Sequence, residues 1–298
     1  MNTRPKDLIT RPKDLITRPK DLITIVGFHN IGNTCWLNSL LQCLFNHRIF
    51  IDLIETLPNN SLSIQLFKEI KKGIEITDVN MIVNSIQRLI HLIREKFQIG
   101  VPQDAQEAFL YLADLLCIDT SIKLEDKFKN EIEGLDYINS WYKFQNYTKS
   151  IIYDTFYTQF HFKTSDKEDR YEPLLSFQMI YQDNFKNSFD MMFEGKDITI
   201  LSPIVSIYVI NCKEVPAIEV LDNFELSSIN DHKNIKQEYY FNSCILHMGT
   251  YGGGHYIAII KRQNKFFMCN DNTITELIDL NIFEKVTPML MFYTIHQN

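Results

Sequence analysis

The hydrophobic pattern changes near the middle of the chain. In the first half, apolar residues recur at helical spacing, which predicts amphipathic helices over 61–72, 78–97 and 101–116. From residue 150 onward, aromatic and β-branched runs predict strands over 151–162, 171–181, 198–209, 239–248, 254–260, 265–269 and 289–294, with a helix over 183–194. A helical half followed by an antiparallel half predicts an α+β fold with a cleft where the halves meet.

Composition narrows the class of protein. A chain of 298 residues, 45% of them hydrophobic, can bury a large core. Its net charge of -7 argues weakly against nucleic acid as the main partner, and no apolar run is long enough to cross a bilayer. The six cysteines lie far apart without a CxxC pair, and no signal peptide is apparent. We therefore expect an intracellular protein with no metal, no cofactor and no membrane partner.

The first residues carry a repeat. Residues 3–23 are three tandem copies of TRPKDLI, and this heptad spacing suggests a coiled coil. A proline in every copy (Pro5, Pro12 and Pro19) removes a helical hydrogen bond each time. We expect a flexible arm over 1–24, acting as a tether or arising as a neutral repeat expansion, followed by one folded domain over 25–298.

A turn rich in glycine and asparagine leads into a helix that begins with a cysteine. The stretch is GFHNIGNTCWLNSLLQ, and apolar residues recur at helical spacing after Cys35. A thiol at a helix N-terminus faces unpaired N–H groups and the positive end of the dipole, which favour the thiolate. Cys35 is therefore a candidate nucleophile with a lowered pKa, although a structural cysteine heading a core helix is a common alternative. Asn30 offers an amide donor to an oxyanion.

A second segment supplies a candidate base. A run of glycines ends at Gly254 and leads into a strand that begins near His255 and Tyr256, where a histidine can face a cleft. The next strand ends at Asn270 and Asp271, and a hairpin would return that end to the histidine. Either residue could then fix the tautomer of the imidazole, so both remain candidates.

The helix predicted over 101–116 begins with two acidic residues. Asp104 and Glu107 have the spacing of a capping box, in which both side chains satisfy N–H groups of the first turn. A capping carboxylate can still bind a basic group of a ligand, so a structural and a binding role are compatible.

Three segments resemble the ubiquitin-specific proteases, a papain-like family of deubiquitinating enzymes. The stretch 27–42 is similar to the family's cysteine box, and Gly-Gly-His-Tyr followed later by Asn-Asp is similar to its histidine box. The stretch 103–109 resembles the segment Gln-Asp-x-Gln-Glu-Phe, with Ala108 standing before Phe109. The resemblance implies a papain-like fold with a helical thumb, a β-rich palm and fingers reduced in length, since the zinc-ribbon cysteines are missing.

The resemblance also implies catalytic roles and a reaction. Cys35 attacks the carbonyl of the C-terminal glycine of ubiquitin, and His255 takes the thiol proton. Asn270 aligns with the third member of the triad, and Asp271 is the competing candidate. Asn30 and the Cys35 N–H hold the oxyanion. The implied activity is that of a ubiquitinyl hydrolase.

Substrate contacts follow from the same resemblance. Asp104 and Glu107 meet the basic tail of ubiquitin, while Gly253, Gly254 and Tyr256 lie along the path of the tail. The implied partner is ubiquitin or a ubiquitinated protein, in the cytoplasm or nucleus of a cell, and a virus-encoded protein acting in its host is equally compatible. Two alternatives remain: a ubiquitin-binding pseudoenzyme of the same fold, and a protease for a ubiquitin-like modifier such as SUMO.

Overall fold

The structure is a computed structural model that describes residues 24–123, 136–146, 148–163, 170–182, 184–212, 214, 220–230, 233–250 and 253–295. The TRPKDLI repeats lie outside these residues, so the flexible arm stays a prediction. Within the described part of the chain, no helix is both long and apolar enough to span a membrane.

The first half of the chain is helical, as predicted. Its helices are α1 (Cys35–Leu44), α2 (Arg48–Thr56), α3 (Leu62–Glu75), α4 (Val79–Leu92) and α5 (Ala105–Thr120). Ser61, Asp78 and Asp104 cap α3, α4 and α5, because each side chain accepts hydrogen bonds from N–H groups of the first turn. Helix α4 ends five residues short of the predicted limit, and the chain turns there toward Phe97.

Among the described residues, three further α-helices and all of the strands follow α5. The helices are α6 (Asp136–Phe144), α7 (Ile151–Phe156) and α8 (Phe185–Met192). The strands are β1 (Ile122–Lys123), β2 (Thr148–Lys149), β3 (Thr158–Phe162), β4 (Arg170–Leu174), β5 (Ser176–Met179), β6 (Lys196–Ile200), β7 (Ile204–Val209), β8 (Asn223–Asn230), β9 (Lys233–Thr250), β10 (Gly253–Arg262), β11 (Lys265–Asn270), β12 (Thr273–Leu277) and β13 (Pro288–Thr294).

The strand predicted over 151–162 is wrong in its first half. Residues 151–156 form α7, and only the remainder of the predicted run forms a strand. Ser150 starts the helix, because its hydroxyl accepts a hydrogen bond from the N–H of Ile152. Aromatic and β-branched residues favour strands only where neighbouring strands are present to pack against them, so this local cap overrides their preference.

Most of the described strands join one sheet of mixed direction. Its main path runs β12-β11-β10-β9-β8-β6-β3-β4, and β13 pairs with both β9 and β7. The expectation of purely antiparallel strands is wrong at two places, since β5 pairs with β7 and β6 with β8 in parallel. The helical half packed against this sheet confirms the predicted α+β class.

Helix α1 occupies the centre of the molecule. All ten of its residues are buried, and it packs against β10 and α5. A helix that is buried on every face lies in the core of a protein. Its first residue, Cys35, is consequently held where the helical half meets the sheet.

Candidate active site

Cys35 lies in a cleft between the two halves of the molecule. The cleft has a volume of about 370 Å³, and Cys35 itself is only 7% exposed. The turn before it has a left-handed backbone, with φ of 111° at Gly32 and 53° at Asn33. Glycine and asparagine adopt this conformation at little cost, which explains their choice at a tight turn.

The turn is held from inside by Asn30. Its Oδ1 accepts hydrogen bonds from the N–H of Gly32 at 3.2 Å and the N–H of Thr34 at 3.1 Å. The Thr34 hydroxyl accepts from the N–H of Ile31 at 3.1 Å, and no side chain caps α1. The N–H groups of the first turn therefore remain directed at the cysteine.

A second contact holds the same turn from outside. The Gly100 N–H donates to the carbonyl of Gly32 at 2.9 Å, and Asn33 Nδ2 donates to the carbonyl of Gly100 at 2.8 Å. We call this pair of hydrogen bonds the clasp. It joins the cysteine turn to the loop that leads into α5, and therefore to one wall of the cleft.

Burial raises the pKa of the Cys35 thiol above its ordinary value, and the carboxylate of Asp271 acts in the same direction. The backbone N–H groups of Tyr256, Trp36 and Cys35 lower it, but by less. The prediction of a lowered pKa is therefore wrong. A helix buried from its first residue desolvates the thiolate, and this cost exceeds the stabilisation by the helix N-terminus.

The hairpin of β10 and β11 brings His255 and Asn270 together, as the sequence predicts. His255 Nε2 lies 2.7 Å from Asn270 Oδ1. An amide oxygen only accepts hydrogen bonds, so Nε2 carries the proton and Nδ1 keeps its lone pair. The imidazole is thus fixed in the tautomer that can accept a proton at Nδ1.

Asp271 connects this hairpin to the cysteine turn. Its Oδ1 accepts from Asn38 Nδ2 at 2.8 Å and its Oδ2 from Asn30 Nδ2 at 3.0 Å, while Oδ2 lies 3.8 Å from His255 Nε2. Asn270 is therefore the closer partner of the imidazole. One N–H of the Asn30 amide is used by Asp271, which leaves the other for an oxyanion.

Asn38 is a site residue that sequence reasoning missed. It lies on α1 and is only 2% exposed, although its amide is polar. A buried polar side chain needs partners, and Asn38 Nδ2 donates to the carboxylate of Asp271 at 2.8 Å and to the carbonyls of Phe28 and His29 at 3.3 Å. The available signal was three polar residues, Asn38, Ser39 and Gln42, in a short helix that is otherwise rich in leucine.

The five predicted substrate contacts all line the cleft beside Cys35; they are Asp104, Glu107, Gly253, Gly254 and Tyr256. The remaining lining residues were missed, since strands distant in sequence bring most of them to the cleft; they are Asn33, Trp36, Pro102, Gln103, Tyr208, Ile210, Cys212, His247 and Met289. Among them, Cys212 is half-buried beyond the end of β7.

Two of these residues shape the sheet side of the cleft. A Cβ at Gly254 would lie 2.5 Å from His247 Nε2, so a side chain there would displace the His247 ring. Tyr256 lines the cleft from β10, and burial raises the pKa of its phenol, with the carboxylate of Asp104 on the helical wall acting in the same direction. Tyr256 therefore faces the helical wall from the sheet.

The acidic wall is made by the first turn of α5. Asp104 Oδ1 accepts from the N–H of Gln106 at 2.7 Å and the N–H of Glu107 at 3.0 Å, which is half of the predicted capping box. Glu107 does not complete it; its Oε1 lies 2.6 Å from Lys96 Nζ. Among the described residues, no group of three His, Cys, Asp or Glu side chains is placed to hold a metal ion.

Known proteins are similar to this chain in sequence and in fold. The protein "Ubiquitin carboxyl-terminal hydrolase 7" of Drosophila melanogaster is 25% identical over an alignment of 287 residues, and the alignment covers 84% of this chain. The chain spans only 24% of the length of that relative.

Solved structures share the fold. The SAGA DUB module of Ubp8, Sgf11, Sus1 and Sgf73 bound to monoubiquitin matches with a TM-score of 0.70 at 15% identity, over 95% of this chain and 72% of that chain. The module bound to ubiquitin aldehyde matches with a TM-score of 0.70 at 16% identity, over 95% of this chain and 72% of that chain. At such identities the likeness concerns the fold.

The sequence model of one family covers most of the chain. It is described as "Ubiquitin carboxyl-terminal hydrolase" and matches residues 26–293. This match includes the cysteine turn, the acidic wall and the histidine hairpin, and it confirms the resemblance to the ubiquitin-specific proteases. The chain belongs to the ubiquitin carboxyl-terminal hydrolase family.

Proposed function

We propose that this chain is a deubiquitinating thiol hydrolase that cleaves the isopeptide or peptide bond after the C-terminal glycine of ubiquitin. The observation that carries this proposal is the hydrogen bond of 2.7 Å between His255 Nε2 and Asn270 Oδ1, which leaves Nδ1 as a base. Tyr256, the residue after this histidine, lines the same cleft as Cys35. The base therefore belongs to the strand that borders the nucleophile.

The reaction begins with a neutral thiol. Because burial raises the pKa of Cys35, a base must remove the proton, and His255 Nδ1 takes it as the sulfur attacks the glycine carbonyl. The S–C bond forms, and the proton then passes from His255 to the lysine amine as the C–N bond breaks. Water attacks the resulting thioester through the same base, and Cys35 leaves as the thiol.

Charge develops at two places during this reaction. The oxyanion receives N–H groups from the first turn of α1 and the second N–H of the Asn30 amide. The imidazolium has Asn270 at hydrogen-bond distance and the carboxylate of Asp271 at 3.8 Å. Asn270 thus orients His255, while Asp271 balances its charge and holds Asn30 in place.

Ubiquitin is the proposed substrate. The solved relatives of the same fold are bound to monoubiquitin or ubiquitin aldehyde. The cleft has the acidic residues Asp104 and Glu107 on one wall and Gly253 and Gly254 on the other, which suits an extended basic tail. We also propose an intracellular site of action, in the cytoplasm or nucleus, with which six free cysteines agree.

The two alternatives differ from this proposal in their predictions. A ubiquitin-binding pseudoenzyme would not need the aligned pair of His255 and Asn270, so the geometry favours an enzyme. A protease for a ubiquitin-like modifier would use the same chemistry but prefer a different tail.

The test uses ubiquitin that carries a cysteine-reactive group at its C-terminus. The wild-type protein, Cys35→Ala and Cys212→Ala are mixed with this probe, and intact masses are recorded. Cys212 is the matched control, because it is the second cysteine of the same cleft. A SUMO probe with the same reactive group is run in parallel.

We expect an adduct on the wild-type protein and on Cys212→Ala, and none on Cys35→Ala. Binding of ubiquitin without an adduct on the wild-type protein would favour the pseudoenzyme. An adduct with the SUMO probe alone would favour the second alternative. An adduct that persists in Cys35→Ala would refute the assignment of the nucleophile.

A further inference from the structure

The acidic wall of the cleft already contains a cation. Lys96 Nζ lies 2.6 Å from Glu107 Oε1, and the two side chains are 49% and 47% exposed. Glu107 also lines the cleft, where it belongs to α5, whereas Gly253 and Gly254 line it from β10. A carboxylate proposed to bind the substrate tail is thus paired with a lysine of the same chain before any substrate arrives.

The backbone of Lys96 is firmly placed. It follows α4 in a turn, where its N–H donates to the carbonyl of Ile93 at 3.0 Å. The next residue, Phe97, is fully buried and stacks on Trp36 with ring centroids 5.2 Å apart. Trp36 directly follows the nucleophile. The lysine side chain therefore extends from a fixed point beside the cleft toward Glu107.

In the ion pair of Lys96 and Glu107, the lysine can readily be replaced by a cation of the substrate. A pair half exposed to water contributes little to stability, because water screens both charges. Lysine is a flexible point charge, whereas arginine can bind a carboxylate through two parallel hydrogen bonds. An arginine of an incoming tail can consequently displace the lysine, and a neutral side chain cannot.

We propose that Lys96 is a specificity-determining residue that occupies Glu107 until a basic substrate tail displaces it. This inference rests on the proposed function, because the tail in question is that of ubiquitin. Displacement costs part of the binding free energy of every tail that uses Glu107. A tail that does not use Glu107 leaves the pair intact and loses nothing. Lys96 therefore sets how basic a tail must be to engage this wall.

The test compares Lys96→Gln with the wild-type protein on two fluorogenic ubiquitin substrates. One has the native tail, and the other has its tail arginines replaced by glutamine. Lys265→Gln is the matched control, because Lys265 forms a pair of similar exposure with Glu276 at 2.8 Å, on the β11–β12 hairpin. Glu107→Gln and the double variant Lys96→Gln/Glu107→Gln complete a double-mutant cycle.

We expect Lys96→Gln to lower KM for the native tail about two- to fivefold, the range of a half-exposed ion pair, with kcat unchanged. It should not change KM for the glutamine tail, and Lys265→Gln should change neither. In the Glu107→Gln background, the effect of Lys96→Gln should vanish.

Three results would overturn the inference. A rise in KM for Lys96→Gln would mean that the lysine supports Glu107 for binding. An equal fall on both tails, or a fall in Lys265→Gln, would indicate a general effect of net charge. No change on the native tail would remove Lys96 from recognition.

If the wild-type protein turns over neither substrate, the proposed activity itself fails. The inference is then tested by calorimetry, with ubiquitin of either tail titrated into Cys35→Ala and Cys35→Ala/Lys96→Gln. Tighter binding of the native tail alone by the double variant would support it. Equal affinities would refute it.

Discussion

The two ends of the cleft are built differently. At the catalytic end, Asn38 and Asn30 both donate to the carboxylate of Asp271, at 2.8 and 3.0 Å, across the interface between helix and hairpin. At the acidic end, Glu107 is held by one lysine, with both side chains about half exposed. Two hydrogen bonds to one carboxylate that is only 12% exposed fix geometry, whereas an exposed ion pair allows exchange. The difference suggests that the chemistry is rigidly positioned and the recognition of the tail is adjustable.

Asn30→Ala tests the catalytic end most severely. We expect kcat to fall about 10²- to 10³-fold, the usual cost of removing one oxyanion donor. KM should change little, since the donor acts on the transition state. Steady-state kinetics measure both constants, and binding to Cys35→Ala with and without the second substitution is the control. Unchanged turnover would remove Asn30 from the mechanism.

Asp271→Asn should change the pKa of the Cys35 thiol and kcat in ways that can be measured separately. We expect kcat to fall about 10- to 100-fold, because hydrogen bonds to a charged group contribute about 1.5 to 3 kcal/mol. The carboxylate raises the pKa of Cys35, so its removal should lower that pKa and move the pH profile of iodoacetamide inactivation to lower pH. We therefore expect the variant to have a lower Cys35 pKa and, at the same time, a lower kcat than the wild-type protein. A profile shifted to higher pH would contradict it.

His47 extends the comparison to a buried polar group far from the cleft. Neither ring nitrogen has a hydrogen-bond partner among the described residues, and burial lowers the pKa of His47 to about 3. Between that value and the unfolded pKa near 6.5, the unfolded chain binds more protons. The free energy of unfolding should therefore fall by up to about 1.4 kcal/mol per pH unit below pH 6.5.

His47→Leu should remove this dependence. Chemical denaturation at pH 7 and pH 5 measures the free energy of unfolding of both proteins. We expect a smaller loss at pH 5 for the variant, and kcat at pH 7 close to that of the wild-type protein. Equal losses in both proteins would show that other groups control acid stability.

Asn33→Gly tests the clasp, and its expected effect on kcat is the smallest of the catalytic predictions. Glycine accepts the φ of 53° without strain, so the variant removes only the hydrogen bond to Gly100. We expect kcat to fall about two- to tenfold, since a neutral hydrogen bond contributes about 0.5 to 1.5 kcal/mol. The midpoint of thermal unfolding is the control for general destabilisation. A raised KM with unchanged kcat would show instead that Asn33 contributes to substrate binding, as proposed for the acidic end of the cleft.

Local sequence patterns predicted several elements of the site well. The turn before Cys35, the cap at Asp104, and the β10–β11 hairpin that returns Asn270 and Asp271 to His255 all form as predicted. Each depends on residues that are close in sequence, where spacing and conformational preference carry the information.

Contacts between distant segments could not be predicted in the same way. Asn30 and Asp271 are separated by 241 positions in sequence, so no local pattern reveals their hydrogen bond. The parallel pairing of β5 with β7 and the place of Cys212 in the cleft likewise depend on chain topology. The helix α7 was missed because a single cap at Ser150 overcame the strand preference of the residues after it.

The sequence by itself determined the nucleophile candidate, its turn, the candidate base and the family that these motifs resemble. Only the tertiary structure decided the direction of the Cys35 pKa shift, because desolvation depends on what packs around the thiol. It also decided that Asn270 meets the imidazole while Asp271 bonds to Asn30 and Asn38, and that Lys96 occupies Glu107. Spacing along the chain encodes local conformation, whereas burial and pairing depend on which distant segments the fold brings together.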